Sequence, residues 1–151
     1  MNPPLRSADV VAALQEGLAD GTIDLLVTDH APHHYDEKER EFADAPNGIV
    51  GLETALGVNC TYLLHRQVLS LSRLVETMSC LPAKVFHLPG GTLARGSVGD
   101  VTVFDPSFQW TVDASRFRSK GRNTPYGGHQ LTGAARKTIV GGRVVFDATV
   151  T

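Results

Sequence analysis

The residues best suited to chemistry lie in one run, Thr28-Asp29-His30-Ala31-Pro32-His33-His34. It follows the apolar segment Ile23-Asp24-Leu25-Leu26-Val27. A short strand that ends in an aspartate, with histidines in the next turn, puts a carboxylate and imidazoles together at a carboxyl end. That is where α/β proteins, barrels above all, place metal and substrate groups. A carboxylate beside imidazoles suits a divalent metal such as zinc. Such a metal brings the pKa of bound water toward neutrality, and a nearby carboxylate can take the proton. Asp29 is the candidate for both tasks, metal ligand and proton acceptor. His33 follows Pro32, whose stiff turn could aim the ring back over the strand end. The bland alternative is an aspartate that caps a turn and histidines that lie on the surface. One aspartate and a few histidines are in any case an incomplete set, since metals usually take at least three protein ligands.

The elements that must hold this run are legible around it. Ser7 can cap a helix over 8–20, with Asp9 in its first turn and Gly21 at its end. Val10, Val11, Leu14 and Leu18 recur at helical spacing and predict its buried face. Residues 23–28 then read as a strand apolar on both faces, as in a parallel, doubly covered sheet. The charged run Tyr35–Glu41 is a solvated segment or a short exposed helix, and Pro46-Asn47-Gly48 signals a turn. A second helix is expected over 51–66, with Leu52, Leu56, Leu63 and Leu64 inward. A third starts at Ser70 or Ser72 and carries Leu74, Val75 and Met78. A fourth, near 82–87, has Pro82 in its first turn, where proline is tolerated. After Gly90-Gly91 the pattern changes to short strands at 92–93, 98, 100–105 and 110–112. The segments 137–140 and 143–146 flank Gly141-Gly142 as a β-hairpin with a two-residue turn.

Composition bounds the rest. The 151 residues, 42% hydrophobic and 20% charged, suit a globular chain with a real core. A formal charge of −2 gives no electrostatic case for nucleic acid or a membrane surface. No apolar run approaches the roughly 20 residues of a membrane span, and no secretion leader is visible. Cys60 and Cys80 sit in apolar contexts and read as buried free thiols, which favours a cytoplasmic location, with a single disulfide between them as the alternative. The Pro3-Pro4 opening forbids helix and normally joins a strand to a helix.

At these residues the chain resembles the dihydroorotase family of metal-dependent cyclic amidohydrolases. Thr28–His33, with Asp36-Glu37-Lys38 beyond, is similar to the family's strand-8 motif. Asn2–Arg6 resembles its segment after strand 7, and Pro46–Gly51 its next substrate loop. Leu81–Phe86 resembles the helix leading out of the barrel. Gly96–Asp105 and the 138–146 hairpin resemble the small β-domain of many amidohydrolases. Ser119-Lys120 and Arg122-Asn123-Thr124-Pro125-Tyr126 fit the family's tail. The resemblance implies an α/β fold: the last part of a (β/α)8 TIM barrel over 1–89 (strand 8 and the following helices), then β-sandwich strands over 90–151. It implies that Asp29 ligates the catalytic metal, zinc, and shuttles the proton. His33 would contact the substrate carboxylate, Asn2 would lie near the substrate, and the Asn47 and Gly48 backbone would lie against the substrate ring. The implied reaction interconverts dihydroorotate and N-carbamoyl-aspartate, in pyrimidine synthesis.

The departures from the family matter as much. Its metal site needs a His-x-His pair, and none occurs in this chain. A complete barrel takes about 250 residues. Met1 therefore reads as an internal methionine of a longer enzyme, and the isolated chain is expected to lack useful activity. The implied partners are a small-molecule substrate and either a missing amino-terminal half or further copies in a homo-oligomer. The alternatives are another cyclic amidohydrolase, of allantoinase or hydantoinase type, and a non-catalytic dihydroorotase-like subunit. His30, His34, His65, His87 and His129 read as structural or surface residues.

Overall fold

The computed structural model describes residues 2–149; the reading of Met1 lies outside them. The first helix, α1 (Ala8–Asp20), has the bounds its spacing predicts and ends at Gly21 in the left-handed conformation. Ser7 occupies the N-cap, but its side chain does not cap the helix. Instead the Asp9 carboxylate takes hydrogen bonds from the Ser7 side chain and from the N–H groups of Asp9 and Val10, which hold its pKa below the usual value. The expected buried face is corrected: Leu18 is buried, whereas Val10, Val11 and Leu14 are exposed. Among the described residues α1 docks through its carboxyl end, where Arg73 Nε donates to Leu18 O at 3.2 Å and Arg73 Nη2 to Ile23 O at 3.1 Å.

The expected strand over 23–28 is not formed as a regular element. A parallel strand draws its order from ladders with neighbours, and here it finds only isolated partners. Leu26 N–H donates to Thr77 O at 3.1 Å, and Ala31 N–H donates to Ile49 O at 2.9 Å. His30 and Ile49 form a single parallel bridge. The charged run becomes a short exposed helix, α2 (Tyr35–Lys38), whose N-cap His34 accepts the Asp36 N–H at 3.3 Å.

The helix expected over 51–66 begins later, as α3 (Ala55–Asn59), and runs into a π-helical turn at Cys60–Leu64. Residues 51–54 are a turn closed on Gly51 O, so Leu52 is exposed, not inward. Ser70 caps α4 (Leu71–Val75) by accepting the Arg73 N–H. A second π-helical turn, Glu76–Cys80, leads without a break into α5 (Leu81–Val85). The expected third and fourth helices are therefore one rod, and Pro82 follows its widened turn, a position where a missing N–H is accommodated. Cys60 is fully buried, but Cys80 is exposed on this rod, which corrects its reading as a buried thiol.

The β region is one antiparallel sheet in the order β1-β2-β3. β1 (Val101–Thr111) absorbs the segments expected at 100–105 and 110–112, with register shifts on either side of Phe104-Asp105. Pro106, which has no N–H to give, lies in the second irregular stretch. Residues 92–93 and 98 are not strands. β2 (Gln130–Val140) and β3 (Arg143–Asp147) form the hairpin around Gly141-Gly142.

Two apolar clusters join these elements. Leu18, Cys60, Leu63, Leu69 and Leu74 form one, with Phe104 of β1 packed on it. Val50, Val112, Phe117 and Leu131 form the other, flanked by Trp110 and Tyr126. Thr61 locks α3's extension to the sheet: its Oγ1 donates to Gly57 O at 2.7 Å and accepts the Thr132 N–H at 2.8 Å. The second cluster anchors, through Val50, the loop over 46–51. No helix among the described residues is long and apolar enough to cross a membrane.

Candidate functional site

Two loops meet at the end of the 23–28 segment, one over 29–33 and one over 46–51. Asp29 opens the first with φ of 43°, a left-handed conformation that aspartate tolerates better than most residues. Its side chain is exposed, and among the described residues no hydrogen bond holds it. Backbone outliers of this kind cluster at functional sites.

His30 turns the other way and is structural, as expected. Its Nδ1 accepts the N–H groups of Gly51 and Leu52 at 3.1 and 3.3 Å. An accepting Nδ1 carries no proton, so the proton sits on Nε2, which faces Ser119 Oγ at 3.5 Å. Glu53 holds the same strap by accepting the N–H groups of Arg118 and Ser119 at 2.8 and 2.9 Å.

His33 and the Asn47-Gly48 turn are in direct contact. His33 Nε2 is 2.9 Å from Asn47 O, and Nδ1 is 3.3 Å from Glu37 Oε2. The His33 ring holds the Glu37 carboxyl below its usual pKa, with the His34 N–H as the next cause. Gly48 has φ of 116°, and a Cβ there would come within 2.6 Å of Ala31 Cβ and 3.3 Å of His33 Nε2. Only glycine lets the two loops approach this closely. Asn2 is exposed, and among the described residues no hydrogen bond joins it to these loops. The structure thus brings together His33, Asn47 and Gly48, places Asp29 at the start of the same loop, and leaves Asn2 apart.

Three contributors were not singled out from the sequence. Asn123 bridges both loops through its side chain and main chain. Lys38 Nζ donates to Pro46 O at 2.7 Å and to Gly48 O at 3.1 Å. Glu53 braces the 118–119 strap. A pocket of about 150 Å³ lies beside the site, lined by Leu26, Thr28, Ile49, Val58 and Tyr126 among others. Burial there pushes the Tyr126 hydroxyl up in pKa, helped by Tyr62.

Among the described residues no group of three or more His, Cys, Asp and Glu could hold a metal ion. Asp29 suits a metal as a single exposed carboxylate, but this chain does not complete a site by itself.

Residues 2–145 match the amidohydrolase family, and the chain belongs to that family. The family is metal-dependent in general. Among curated proteins the chain is similar to the dihydroorotase of Pelobacter propionicus, 55% identical over 146 residues, and to that of Anaeromyxobacter dehalogenans, 57% identical over 147 residues. Each match takes in 97% of this chain and 34% of the relative, so the chain spans about a third of their length. Among solved structures it is similar to the L-hydantoinase (dihydropyrimidinase) of Arthrobacter aurescens, with a TM-score of 0.90 and 41% identity over 96% of this chain and 33% of that one. A D-hydantoinase from a Thermus species has a TM-score of 0.88 at 32% identity, covering 97% of this chain and 33% of its own. The fold is accordingly a partial α/β barrel of amidohydrolase type with carboxyl-terminal strands. The sparse hydrogen bonding of 23–28 and the exposed face of α1 fit a barrel most of whose strands are supplied elsewhere.

Proposed function

We propose that this chain is the carboxyl-terminal portion of a dihydroorotase, carrying one metal ligand and part of the substrate pocket. Residues 1–89 would be the end of the barrel and 90–151 strands of the small β-domain. The observation that carries the reading is the junction of the two loops: a free carboxylate at Asp29, followed by His33 seated on the Asn47-Gly48 turn. In the hydrolytic direction water adds to the ring amide carbonyl and the C–N bond breaks. Asp29 would take the proton from that water at its carboxylate and pass it to the departing nitrogen. His33 would receive the substrate carboxylate, and the Asn47 and Gly48 backbone would lie along the ring. Asn2 would reach the substrate once the rest of the barrel is in place. Zinc is the metal we infer, with Asp29 as one of its ligands; when bound, such an ion acidifies water and stabilises negative charge on the amide oxygen. The remaining ligands would come from outside this chain, and alone the chain would not turn over substrate. A cytoplasmic, small-molecule enzyme follows from this reading.

The second reading is a hydantoinase-type enzyme, favoured by the likeness to the Arthrobacter L-hydantoinase. His33 argues for dihydroorotate, because a ring N–H can donate to a carboxylate that hydantoin lacks. The test is a chimaera in which the 146 matched residues replace their counterpart in the Pelobacter propionicus protein. Turnover of dihydroorotate in preference to hydantoin and allantoin is the expected result. A folded chimaera that prefers hydantoin would overturn it.

A further inference from the structure

We propose that Asn123 is a positioning residue for this site, setting the distance between the His33 turn and the Asn47-Gly48 loop. The proposal rests on the reading above for what the two loops do, and on geometry for how they are held. Asn123 lies far along the chain, in the Arg122–Tyr126 segment, yet it bonds to both loops at once. Its Oδ1 accepts the His33 N–H at 3.2 Å. Its Nδ2 donates to Ala31 O at 2.9 Å and to Gly48 O at 3.2 Å. Its own carbonyl accepts the Val50 N–H at 3.1 Å. One amide therefore uses one acceptor and two donors on three backbone groups that flank the proposed substrate contacts.

The amide is the only neutral side-chain group that offers this pattern. A carboxylate would face the Ala31 and Gly48 oxygens with like charge, and a hydroxyl has one donor for two acceptors. Gly48 O is shared with Lys38 Nζ, so its two lone pairs are both taken. Gly121, next but one to Asn123, is buried against Pro32, where a Cβ would come within 2.8 Å of Pro32 Cα. The 121–123 strap thus lies flat against the turn that aims His33. Asn123 is not a lining residue of the pocket and makes no hydrogen bond to Asp29, so its effect on substrate passes through the His33 and Gly48 groups it holds.

The test has two readouts. In the 151-residue chain, Asn123→Ala is expected to speed amide hydrogen exchange at His33 by about tenfold, the loss of one partly buried hydrogen bond. In the chimaera, Asn123→Ala and Asn123→Asp are each expected to raise KM for dihydroorotate by about tenfold or more while kcat stays within about threefold, because the groups Asn123 holds, at Ala31, His33 and Gly48, bind the substrate and leave the proton transfer to Asp29. Lys38→Met, which frees only Pro46 O and Gly48 O, is expected to raise KM by about threefold and covers the case in which the Asn123 variants do not fold. Unchanged KM in the folded variants of an active chimaera, or a loss confined to kcat, overturns the proposal. Should the unsubstituted chimaera not turn over dihydroorotate, the functional reading fails, and unchanged exchange at His33 still overturns the clasp by itself.

Discussion

The Nε2 of His33 stands 2.9 Å from the carbonyl oxygen of Asn47, across two loops that no regular strand connects. Its other nitrogen faces the Glu37 carboxylate at 3.3 Å. Both partners are acceptors, and a ring nitrogen that carries a proton donates to the one it faces. On the functional reading proposed above, a substrate carboxylate would take the side of the ring that Glu37 now occupies, while Asn47 O holds the other.

Replacing His33 by Asn removes that ring. A hydrogen bond to a charged group contributes about 1.5–3 kcal/mol, so KM for dihydroorotate in the chimaera is expected to rise roughly 10- to 100-fold with hydantoin turnover unaffected. Glu37→Gln removes the competitor and is expected to lower KM by a few fold at most, since exposed pairs are weak. Steady-state kinetics on both substrates checks the pair.

The β2–β3 hairpin carries a pH signature. The Thr149 side chain, then the Lys137 ammonium, holds the Asp147 carboxyl at about 2, below its ordinary 3.8. Lys137 Nζ lies 2.9 Å from Asp147 Oδ2. A depressed carboxyl pKa stabilises the fold at every pH above the unfolded value, and that contribution fades as pH falls from about 4 to about 2. Asp147→Asn is therefore expected to lower the urea midpoint near neutrality and to have little effect near about pH 2. An equal effect at both pH values would contradict the assignment.

Gly133 leaves no room for a side chain where the sheet meets Cys60. A Cβ there would lie 2.5 Å from Cys60 Cβ and 2.6 Å from Cys60 Sγ, at a φ of 102°. Gly133→Ala combines overpacking with a backbone conformation that alanine disfavours, and its expected cost is on the order of 3 kcal/mol. Urea denaturation of the 151-residue chain measures it.

The two thiols are expected to react at different rates. Burial pushes the Cys60 thiol up in pKa, while Cys80 is exposed on the outside of its rod. The thiolate is the nucleophile, so alkylation of the native chain is expected to modify Cys80 and to reach Cys60 only after denaturation. Equal rates would place Cys60 outside the core.

What was legible in the sequence was local. The bounds of α1 and the Gly141-Gly142 hairpin follow from propensity and turn chemistry within a few residues, and of the two serines offered as a start for the third helix the structure uses Ser70. The 23–28 segment reads as a strand in sequence, but a ladder also needs partners, and the described residues offer only isolated ones, at Thr77 and Ile49. Val10, Val11 and Leu14 recur at helical spacing yet are exposed, because periodicity marks an apolar face without saying what covers it. Cys80 was misread because apolar neighbours in sequence do not say which side of a helix faces out. Asp29, His33 and the Asn47-Gly48 turn were picked from local chemistry sharpened by a family resemblance. Asn123, Lys38 and Glu53 were not, because their partners are backbone groups brought near only by the fold. The clue to Asn123 is its place in the Arg122–Tyr126 run that fits the family's tail, which says nothing of the loops it holds.

The measurement closest to the heart of the functional reading is dihydroorotate turnover by the chimaera with Asp29 and with Asp29→Ala, alongside folding controls. The expected result is an active parent and a variant whose kcat falls by roughly 10²- to 10⁴-fold, as removal of a proton-transfer group does. An Asp29→Ala variant that keeps its kcat would contradict the role assigned to this carboxylate.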